Sequence, residues 1–358
     1  MNLLRLLLLP FSFAYGIIVF FRNWLYDSGI FPSAEFNKSV IVIGNLSAGG
    51  TGKSPMTEYL IRLLKEKFLL ATLSRGYKRH TSGFLMAEKN STSFQVGDEP
   101  LQFKKKFPDT IISVDENRKH GIGKLLSLFP ELKVILLDDA FQHRRVKPGL
   151  SILLSDYGQM FYDDFLLPAG TLREWRSRKK RADIIIVTKC PTNISPVEKR
   201  IVLKKINPEP HQHVFFSHVA YGKPVAMFKD AAIPLMEKGT SVVLLTGISN
   251  PRPLEDHLRS KGMNVLMHSY PDHHEYTLVE VNKLTEAFTT LSEKNKVIIT
   301  TEKDAMRLGI QGFVEILNKL PIYYIPIETT FDAREKEEFE KLITDYVFRT
   351  NQKHSSAH

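Results

Sequence analysis

The sequence predicts an α/β protein with two domains, and three observations support this. Short runs of β-branched and apolar residues recur along the chain, and segments with helical spacing follow several of them. A glycine-rich loop follows the first such run. The chain has 358 residues, 43% of them hydrophobic, and this is too long for one comfortable hydrophobic core.

The N-terminal segment, residues 1–30, is predicted to bind a membrane. Residues 3–21 are almost wholly apolar, with Arg5 near the start and Arg22 at the end. The uninterrupted part, Leu6 to Phe21, would span roughly 24 Å as a helix, less than the ~30 Å hydrocarbon core, and Pro10 interrupts it. We therefore favour a helix lying in the interface of an anionic membrane over a transmembrane helix. A buried core helix is the remaining alternative.

The next segment, residues 31–212, is expected to form a domain with a parallel, doubly wound sheet. Its first run, Ser39 to Asn45 (SVIVIGN), leads into the glycine-rich loop and then into helical spacing. Further apolar runs are candidate strands buried on both faces, as in parallel sheets. These runs cover residues 69–73, 110–114, 133–137, 150–154 and 183–187.

The pattern of apolar runs after residue 212 predicts a smaller α/β domain over residues 233–320. Strands are expected at 241–245, 264–268 and 296–300, with helices at about 251–261 and 278–291. The region 213–232 begins with an alternating segment, His213 to Tyr221 (HVFFSHVAY), typical of a strand. Residues 321–348 contain an extended segment, Pro321 to Ile327 (PIYYIPI), and an amphipathic helix. The polar tail 349–358 is predicted to be disordered.

The glycine-rich loop has the GK[ST] ending of a P-loop and lies between a strand and a helix. Backbone amides of such a loop cradle phosphates, its Lys contacts the β and γ phosphates, and its Ser ligates Mg²⁺. Ser47 stands where the motif usually has Gly. The predicted nucleotide-binding residues are Ser47, Ala48, Gly49, Gly50, Thr51, Gly52, Lys53 and Ser54.

An acidic pair, Asp138 and Asp139, ends the run Val134 to Leu137 and is predicted to hold Mg²⁺ with Ser54. The alternative is a pair of helix-capping residues. ATP is favoured over GTP because the nearest analogue of the guanine motif, Thr188-Lys189-Cys190-Pro191, lacks the Asp. Ala48 stands where ATPases that dimerise across the nucleotide carry Lys, which argues against a nucleotide switch.

The composition narrows the class of partner. The net charge of +10 favours an anionic partner, but no helix-turn-helix, zinc-finger or RNP-type motif accompanies it, so no nucleic-acid partner is predicted. A single cysteine, Cys190, excludes a disulfide framework and fits a chain that faces reducing cytosol. No obligate protein partner is inferred.

Several motifs together resemble one family, the tetraacyldisaccharide 4′-kinases, which phosphorylate a lipid A precursor. The resemblance covers most of the chain in the family's order, and the Ser47 departure is itself similar to the family's loop. The motifs are Gly44 to Ser47 running into Gly49 to Pro55, Ser74 to Tyr77 (SRGY), Val96 to Pro100 (VGDEP), Leu137 to His143 (LDDAFQH), Leu167 to Glu174 (LPAGTLRE), Asp272 to His274 (DHH) and Thr301 to Asp304 (TEKD).

The resemblance implies transfer of the γ-phosphate of ATP to the 4′-hydroxyl of a lipid-linked disaccharide, tetraacyldisaccharide 1-phosphate, giving lipid IVA. It places the chain at the cytoplasmic face of the bacterial inner membrane. It also implies two α/β/α domains joined by a two-stranded linker, here the strands His213 to Tyr221 and Pro321 to Ile327.

The resemblance also suggests roles for residues that the single sequence leaves open. It pairs Asp98, the candidate base, with His273; from the residues alone, Asp98 could be a turn former and Asp272-His273-His274 a metal site. Glu174 is a candidate for the Mg²⁺ shell, with surface charge as its alternative. The expected substrate-binding residues are Arg75, Tyr77, Gln142, His143 and Arg173.

Two other functions compete with the kinase: a membrane-tethered P-loop ATPase switch, and a basic nucleic-acid-binding module with incidental ATPase activity. Only the kinase requires ATP consumption that depends on a lipid disaccharide acceptor. A nucleic-acid-binding module would lose affinity steeply as salt rises.

Overall fold

The computed structural model describes residues 3–228, 236–293 and 295–355 of the chain. They form an N-terminal helix, a first domain around a nine-stranded sheet and a second domain around a five-stranded sheet. The predicted α/β class is confirmed. Parts of four predicted segments lie outside the described residues: 1–2 of the N-terminal segment, 229–232 of the linker region, 233–235 and 294 of the second domain, and 356–358 of the tail.

The first domain is built on a sheet whose seven central strands are parallel. Its strands are β1 Ser39–Asn45, β2 Leu70–Ser74, β3 Leu85–Met86, β4 Ile111–Val114, β5 Val134–Asp138, β6 Leu150–Asp156, β7 Ile184–Thr188 and β8 His213–Tyr221. They lie in the order β8-β7-β6-β1-β5-β2-β4-β3, with β3 antiparallel at the edge. Because β1 lies between two later strands, a ligand crevice is expected beyond the carboxyl ends around it.

Helices cover both faces of this sheet. Alternate residues of β1 belong to two separate buried clusters, Val40 and Val42 to one and Ile41 and Ile43 to the other. Because a buried cluster lies on each side of the sheet, the central strands are buried on both faces, and they appear in the sequence as continuous apolar runs. The helices are α1 Leu3–Asp27, α2 Lys53–Leu64, α3 Ser93–Val96, α4 Asp98–Lys106, α5 Arg118–Leu128 and α6 Pro196–Ile206, with short 3₁₀ turns at Phe161–Asp163 and Arg176–Arg181.

The second domain repeats this layered arrangement on a smaller scale. Its strands are β9 Val225–Ala226, β10 Ser241–Thr246, β11 Asn264–Ser269, β12 Lys296–Thr301 and β13 Ile322–Ile325. Its helices are α7 Arg252–Ser260, α8 Leu278–Thr290, α9 Glu302–Leu308 and α10 Gln311–Leu317. The sheet order is β11-β10-β12-β13-β9, and only β9 is antiparallel to its neighbour among these strands.

Two strands connect the domains, but the second begins later in the chain than the sequence predicts. The first is β8, and the second is β14, Ile327–Phe331, which pairs with it antiparallel. The prediction of one linker strand over Pro321 to Ile327 is wrong, because Ile322–Ile325 belongs to the second sheet. Pro326 separates the two strands, since proline has no N–H to donate to a sheet.

The last helix, α11, spans Ala333–Ser355 and packs against the first domain. The predicted disordered tail is wrong for residues 349–355, which continue this helix. Polar side chains stabilise the extension: Thr350 donates to the Tyr346 carbonyl, and the Asn351 amide donates to the Val347 carbonyl and lies 3.3 Å from Ser39 Oγ at the start of β1.

The N-terminal helix continues beyond the apolar run to Asp27, and Pro10 lies inside it without ending it. One stripe of the helix, Ser12, Gly16, Val19 and Asn23, is buried against the first domain, at helical spacing. Among the described residues, α1 is the one helix that is long and apolar enough to cross a membrane. Its other faces expose large apolar side chains, namely Leu7, Phe11, Phe13, Ile17, Ile18, Phe20, Phe21 and Trp24.

We expect Phe339→Ala to lower the free energy of unfolding by about 3–5 kcal/mol, because it would leave a cavity among aromatic rings. Phe339 is fully buried, and its ring centroid lies 5.0 Å from that of Phe331 and 5.4 Å from that of Phe215. Urea denaturation of the two chains measures the difference. Phe348→Ala on the same helix is the control, because Phe348 is 47% exposed and should cost less.

Candidate active site

The glycine-rich loop joins β1 to α2, as the sequence predicts. Gly49 and Gly52 have φ angles of 121° and 84°, in a backbone region that favours glycine. Lys53 is the first residue of α2, so the loop amides and the positive end of the helix can face the same anion. The predicted nucleotide-binding residues Ser47 to Ser54 therefore have the arrangement that phosphate binding requires.

Neighbouring side chains hold this loop in place. The Asn45 amide donates to Thr51 Oγ1 over 2.8 Å, and Thr188 Oγ1 donates to the Thr51 carbonyl over 2.9 Å. The Lys189 ammonium, at the end of β7, donates to the Gly50 carbonyl. The conformation of the loop is thus set by the ends of the surrounding strands.

The two predicted acidic residues after β5 have different environments. Asp138 is buried and accepts a hydrogen bond of 3.0 Å from Thr57 Oγ1. Asp139 has a φ of 45° and faces two cations, with Oδ1 3.6 Å from Lys53 Nζ and 3.1 Å from Arg173 Nη1. Asp139 therefore sets the positions of two cations that can reach phosphate oxygens.

A third carboxylate, Glu99, joins this group, and sequence reasoning missed it. It accepts a hydrogen bond of 2.9 Å from Ser54 Oγ and one of 2.6 Å from Lys303 Nζ of the second domain. Burial acts to raise the pKa of Glu99, but Lys303 and Lys53 lower it below its usual range. Burial and the two neighbouring carboxylates raise the pKa of Asp138. Negative charge therefore accumulates beside Ser54.

This accumulation fits a bound magnesium ion. In the described part of the chain, no group of three or more His, Cys, Asp or Glu could hold a metal ion. Mg²⁺ bound with ATP takes only one or two protein ligands and fills its remaining positions with phosphate oxygens and waters. The Ser54 hydroxyl and the Asp138 carboxyl, whose pKa is raised by burial and by a shortage of positive charge around it, meet that requirement.

The adjacent residues Arg173 and Glu174 point to different parts of the structure. The Arg173 guanidinium donates to both Asp139 oxygens, over 3.1 and 3.2 Å. Glu174 is buried and forms ion pairs with Arg181 and with Arg22 of α1, the latter at 3.7 Å. The predicted Mg²⁺ ligands are thus only partly brought together: Glu174 is neutralised on the side of the N-terminal helix.

Positive charge lines the crevice near His143, one of the predicted substrate-binding residues. Burial and the charges of Arg118, Arg75 and Arg22 lower the pKa of His143 to about 4. Arg75 is exposed, whereas Arg118 is buried and donates to the carbonyls of Asp115 and Asp138. An anion entering here would meet several cations and a neutral imidazole.

The two other predicted substrate-binding residues make structural contacts. The Gln142 amide donates to the Asn45 carbonyl over 2.8 Å, and the Gln142 carbonyl accepts from Arg22. Tyr77 is 56% exposed and packs edge to face on His273, with ring centroids 4.9 Å apart. Gln142 thus supports the strand before the P-loop, and Tyr77 lies at the entrance to the crevice.

The predicted pair of Asp98 and His273 is brought together from two domains. Asp98 begins α4, and His273 lies in the loop after β11 with a φ of 56°. His273 Nδ1 is 3.4 Å from Asp98 Oδ2, which is long for a hydrogen bond. His273 thus keeps a backbone conformation that histidine rarely adopts, and it does so at the contact between the two domains.

Sequence reasoning missed a third member of this group, Arg307. Its Nε donates to Asp98 Oδ2 over 2.7 Å, and its Nη2 lies 3.2 Å from His273 Nδ1. Burial acts to raise the pKa of Asp98, but His273 and Arg307 outweigh this and lower it. One signal was present in the sequence: Arg307 follows Lys303 by one helical turn, on the same face of α9.

Comparisons with known proteins agree along the whole chain. The tetraacyldisaccharide-1-P 4′-kinase (LpxK) family profile matches residues 4–347. Tetraacyldisaccharide 4′-kinase of Bacteroides thetaiotaomicron is 45% identical over 98% of this chain and 94% of its own, and that of Flavobacterium psychrophilum is 46% identical over 97% and 98%. The crystal structure of the apo form of LpxK from Aquifex aeolicus in complex with ATP has a TM-score of 0.75 and 28% identity, covering 96% of this chain and all of that one.

Replacing Lys53 by Met is expected to weaken ATP binding about tenfold or more and to lower turnover. Hydrogen bonds to charged groups contribute about 1.5–3 kcal/mol, and the substitution removes the only side-chain cation of the P-loop. Calorimetric titration with ATP measures the affinity. Lys65→Met is the control, because Lys65 lies at the far end of α2 and pairs with its neighbour Glu66. Equal affinities of the two variants would contradict the assignment.

Proposed function

The chain belongs to the tetraacyldisaccharide-1-P 4′-kinase family, and on this basis we propose how its residues carry out the reaction. The enzyme transfers phosphate from ATP to the 4′-hydroxyl of tetraacyldisaccharide 1-phosphate in lipid A biosynthesis. A sugar hydroxyl is a poor nucleophile, and phosphoryl transfer depends mainly on alignment and on neutralisation of phosphate charge. These two requirements determine the roles proposed for the residues of the site.

The proposed nucleotide side of the site is the P-loop with its neighbours. The loop amides hold the phosphates of ATP, and Lys53 and Arg173 lie against Asp139, where their charges can reach the β and γ phosphates. Mg²⁺ held by Ser54, Asp138 and Asp139 would supply further charge neutralisation on the phosphates. Glu174 is the weakest of the four metal assignments, because it forms ion pairs with arginines.

The proposed base is Asp98, and one observation carries the assignment. Asp98 precedes Glu99, which accepts a hydrogen bond from Ser54 of the P-loop, so the start of α4 lies beside the loop proposed to hold the phosphates. Its lowered pKa keeps it ionised at neutral pH, where it can accept the proton of the 4′-hydroxyl late in the transfer. His273 closes the site from the second domain.

The proposed acceptor side is the cationic crevice at the carboxyl ends of β2 and β5. Arg75 and Arg118 surround His143, and an anionic group of the disaccharide would find complementary charge there. Tyr77 at the entrance offers an apolar face to a sugar ring, and it also keeps His273 in place. We keep Gln142 as part of the crevice wall.

We expect Asp98→Asn to lower turnover about 100-fold or more while ATP affinity changes only a few-fold, because a base contributes about 10²–10⁴-fold to such reactions. The assay supplies ATP, Mg²⁺ and tetraacyldisaccharide 1-phosphate in detergent, and mass spectrometry follows the added phosphate. Asp109→Asn, an exposed site after α4, is the matched control. No lipid product from the unaltered chain would contradict the kinase activity and favour the membrane-tethered ATPase switch or the nucleic-acid-binding module.

We also propose that α1 holds the enzyme on the cytoplasmic face of the bacterial inner membrane, lying in the interface. Its buried stripe docks on the loop 164–176: Ser12 Oγ donates to the Leu166 carbonyl over 2.9 Å, and the Trp175 indole donates to the Gly16 carbonyl over 2.9 Å. A helix docked along its length on a water-soluble domain cannot also be surrounded by lipid. Its exposed apolar side chains suit the headgroup boundary, and the basic chain suits anionic lipid.

Phe11→Glu and Ile18→Glu are expected to reduce sedimentation of the chain with anionic phospholipid vesicles without lowering its melting temperature. Both side chains are exposed, at 64% and 68%, so the loss arises from lipid contact rather than from packing. Val279→Glu, on the second domain and 62% exposed, is the control. Extraction of the unaltered chain from membranes by alkaline carbonate separates interfacial from spanning placement: a spanning helix stays in the pellet.

A further inference from the structure

The guanidinium of Arg307 connects the candidate base to the second domain. It contacts Asp98 of the first domain and His273 of the second, and its side chain is only 6% exposed. We propose that Arg307 is a positioning residue for phosphoryl transfer. It fixes the orientation of the Asp98 carboxylate, and because it belongs to the second domain, Asp98 is oriented as a base only when the two domains are close together. The proposal rests on the proposed role of Asp98.

Hydrogen-bond chemistry places Arg307 between the other two groups. A guanidinium has only donors, so the 3.2 Å contact of Nη2 with His273 Nδ1 is a hydrogen bond in the tautomer whose ring proton lies on Nε2. The contact of the same Nδ1 with Asp98 Oδ2 is longer, at 3.4 Å, so Arg307 is the nearer partner of both groups. The Asp98 carboxylate is therefore held by Arg307, and His273 is held by the same guanidinium.

The guanidinium is itself held rigidly by the second domain. Nη1 donates to Asp304 Oδ1 and to the Gly247 carbonyl, both over 2.9 Å. Asp304 is fully buried and also accepts a hydrogen bond of 3.0 Å from the Tyr276 hydroxyl. Gly247, Asp304 and His273, all of the second domain, thus hold the guanidinium in one orientation. In that orientation Nε donates to Oδ2 of Asp98, and Oδ1 is left for the acceptor hydroxyl.

The contact depends on the relative position of the domains because its partners lie on different ones. Two further ion pairs join the same helices: Lys303 of α9 contacts Glu99 of α4 at 2.6 Å, and Lys106 of α4 contacts Glu302 of α9 at 2.9 Å. If the domains separate, Asp98 loses Arg307 and Glu99 loses Lys303 together. An ionised, oriented base is thus present when the cleft is closed.

The charges around Asp98 determine how its pKa should change when Arg307 is replaced. Arg307 and His273 face it from the second domain, while Lys78 of the first domain donates to the His273 carbonyl and Asp304 lies behind Arg307. Removing the Arg307 charge leaves burial, which raises the pKa of Asp98, less opposed. The acid limb of the rate profile should then move to higher pH.

The test compares turnover of the lipid acceptor by the full chain carrying Arg307→Met, Arg307→Lys or Arg307→Ala. For Arg307→Met we expect kcat to fall about 30- to 100-fold, the KM for ATP to change less than about threefold, and the acid limb to rise by about one pH unit. Arg307→Lys should recover only part of the rate, because an ammonium cannot bridge two partners as a fork does. Added guanidinium ion should partly restore Arg307→Ala.

Matched controls separate the possible failures. Arg259→Met removes an arginine that pairs with Glu255 one turn away on α7, and it should leave kcat and the pH profile unchanged. The proposal is overturned if Arg307→Met behaves like Arg259→Met, or if the Arg307 variants lose activity with an unmoved acid limb and no rescue by guanidinium. Asp98→Asn separates failure of the base assignment from failure of the role of Arg307. Near-normal turnover of Asp98→Asn would contradict the base assignment. Lost turnover of Asp98→Asn with normal turnover of Arg307→Met would contradict only the role of Arg307.

Discussion

Two short helices, each acidic at its start and basic at its end, pack antiparallel and hold the domains of this enzyme together. Helix α4 is acidic at its start and basic at its end, and α9 begins with Glu302 and ends near Arg307. Their ion pairs run in opposite order along the two helices, so α4 and α9 are antiparallel and each set of charges also lies at the helix end that favours it. Lys106 also neutralises the buried Glu58 of α2, at 2.7 Å. Because an unpaired buried charge is costly, only one arrangement of the domains satisfies all these groups.

The same constraint reaches the chemistry through adjacent residues. Glu99 ties the end of α4 to the P-loop through Ser54, and Asp98 ties it to the second domain through Arg307. A second connection leads from the P-loop to α1: the Ala48 amide donates to the Thr171 carbonyl, and the loop carrying Thr171 holds Ser12. The P-loop is therefore fixed between the domain interface and the helix proposed to lie on the membrane, which suits an enzyme that brings a lipid acceptor to a nucleotide.

Much of the fold could be predicted because a parallel sheet leaves a strong trace in the sequence. Strands buried on both faces require continuous apolar runs, and β1 begins and ends where its run does. The alternating segment of β8 marks its ends equally well. The errors occurred where local pattern and tertiary contact disagree. Pro321 to Ile327 reads as one extended segment but serves two sheets, and the tail beyond residue 348 reads as polar but remains helical through Ser355. In the site, Glu174 follows Arg173 in the chain, yet it points to arginines beside α1.

The sequence by itself determined the phosphate-binding loop, the acidic pair after β5 and the apolar N-terminal helix, because each is a local pattern whose residues are neighbours in the chain. The family resemblance added the acceptor and the pairing of Asp98 with His273. Only the tertiary structure decided that Glu99 and Arg307 complete the site, because Glu99 meets Lys303 and Arg307 meets Asp98 across 204 and 209 positions of the chain, each on the other domain. Such contacts depend on how two separately folded sheets pack, and no local pattern of charge or hydrophobicity specifies that packing.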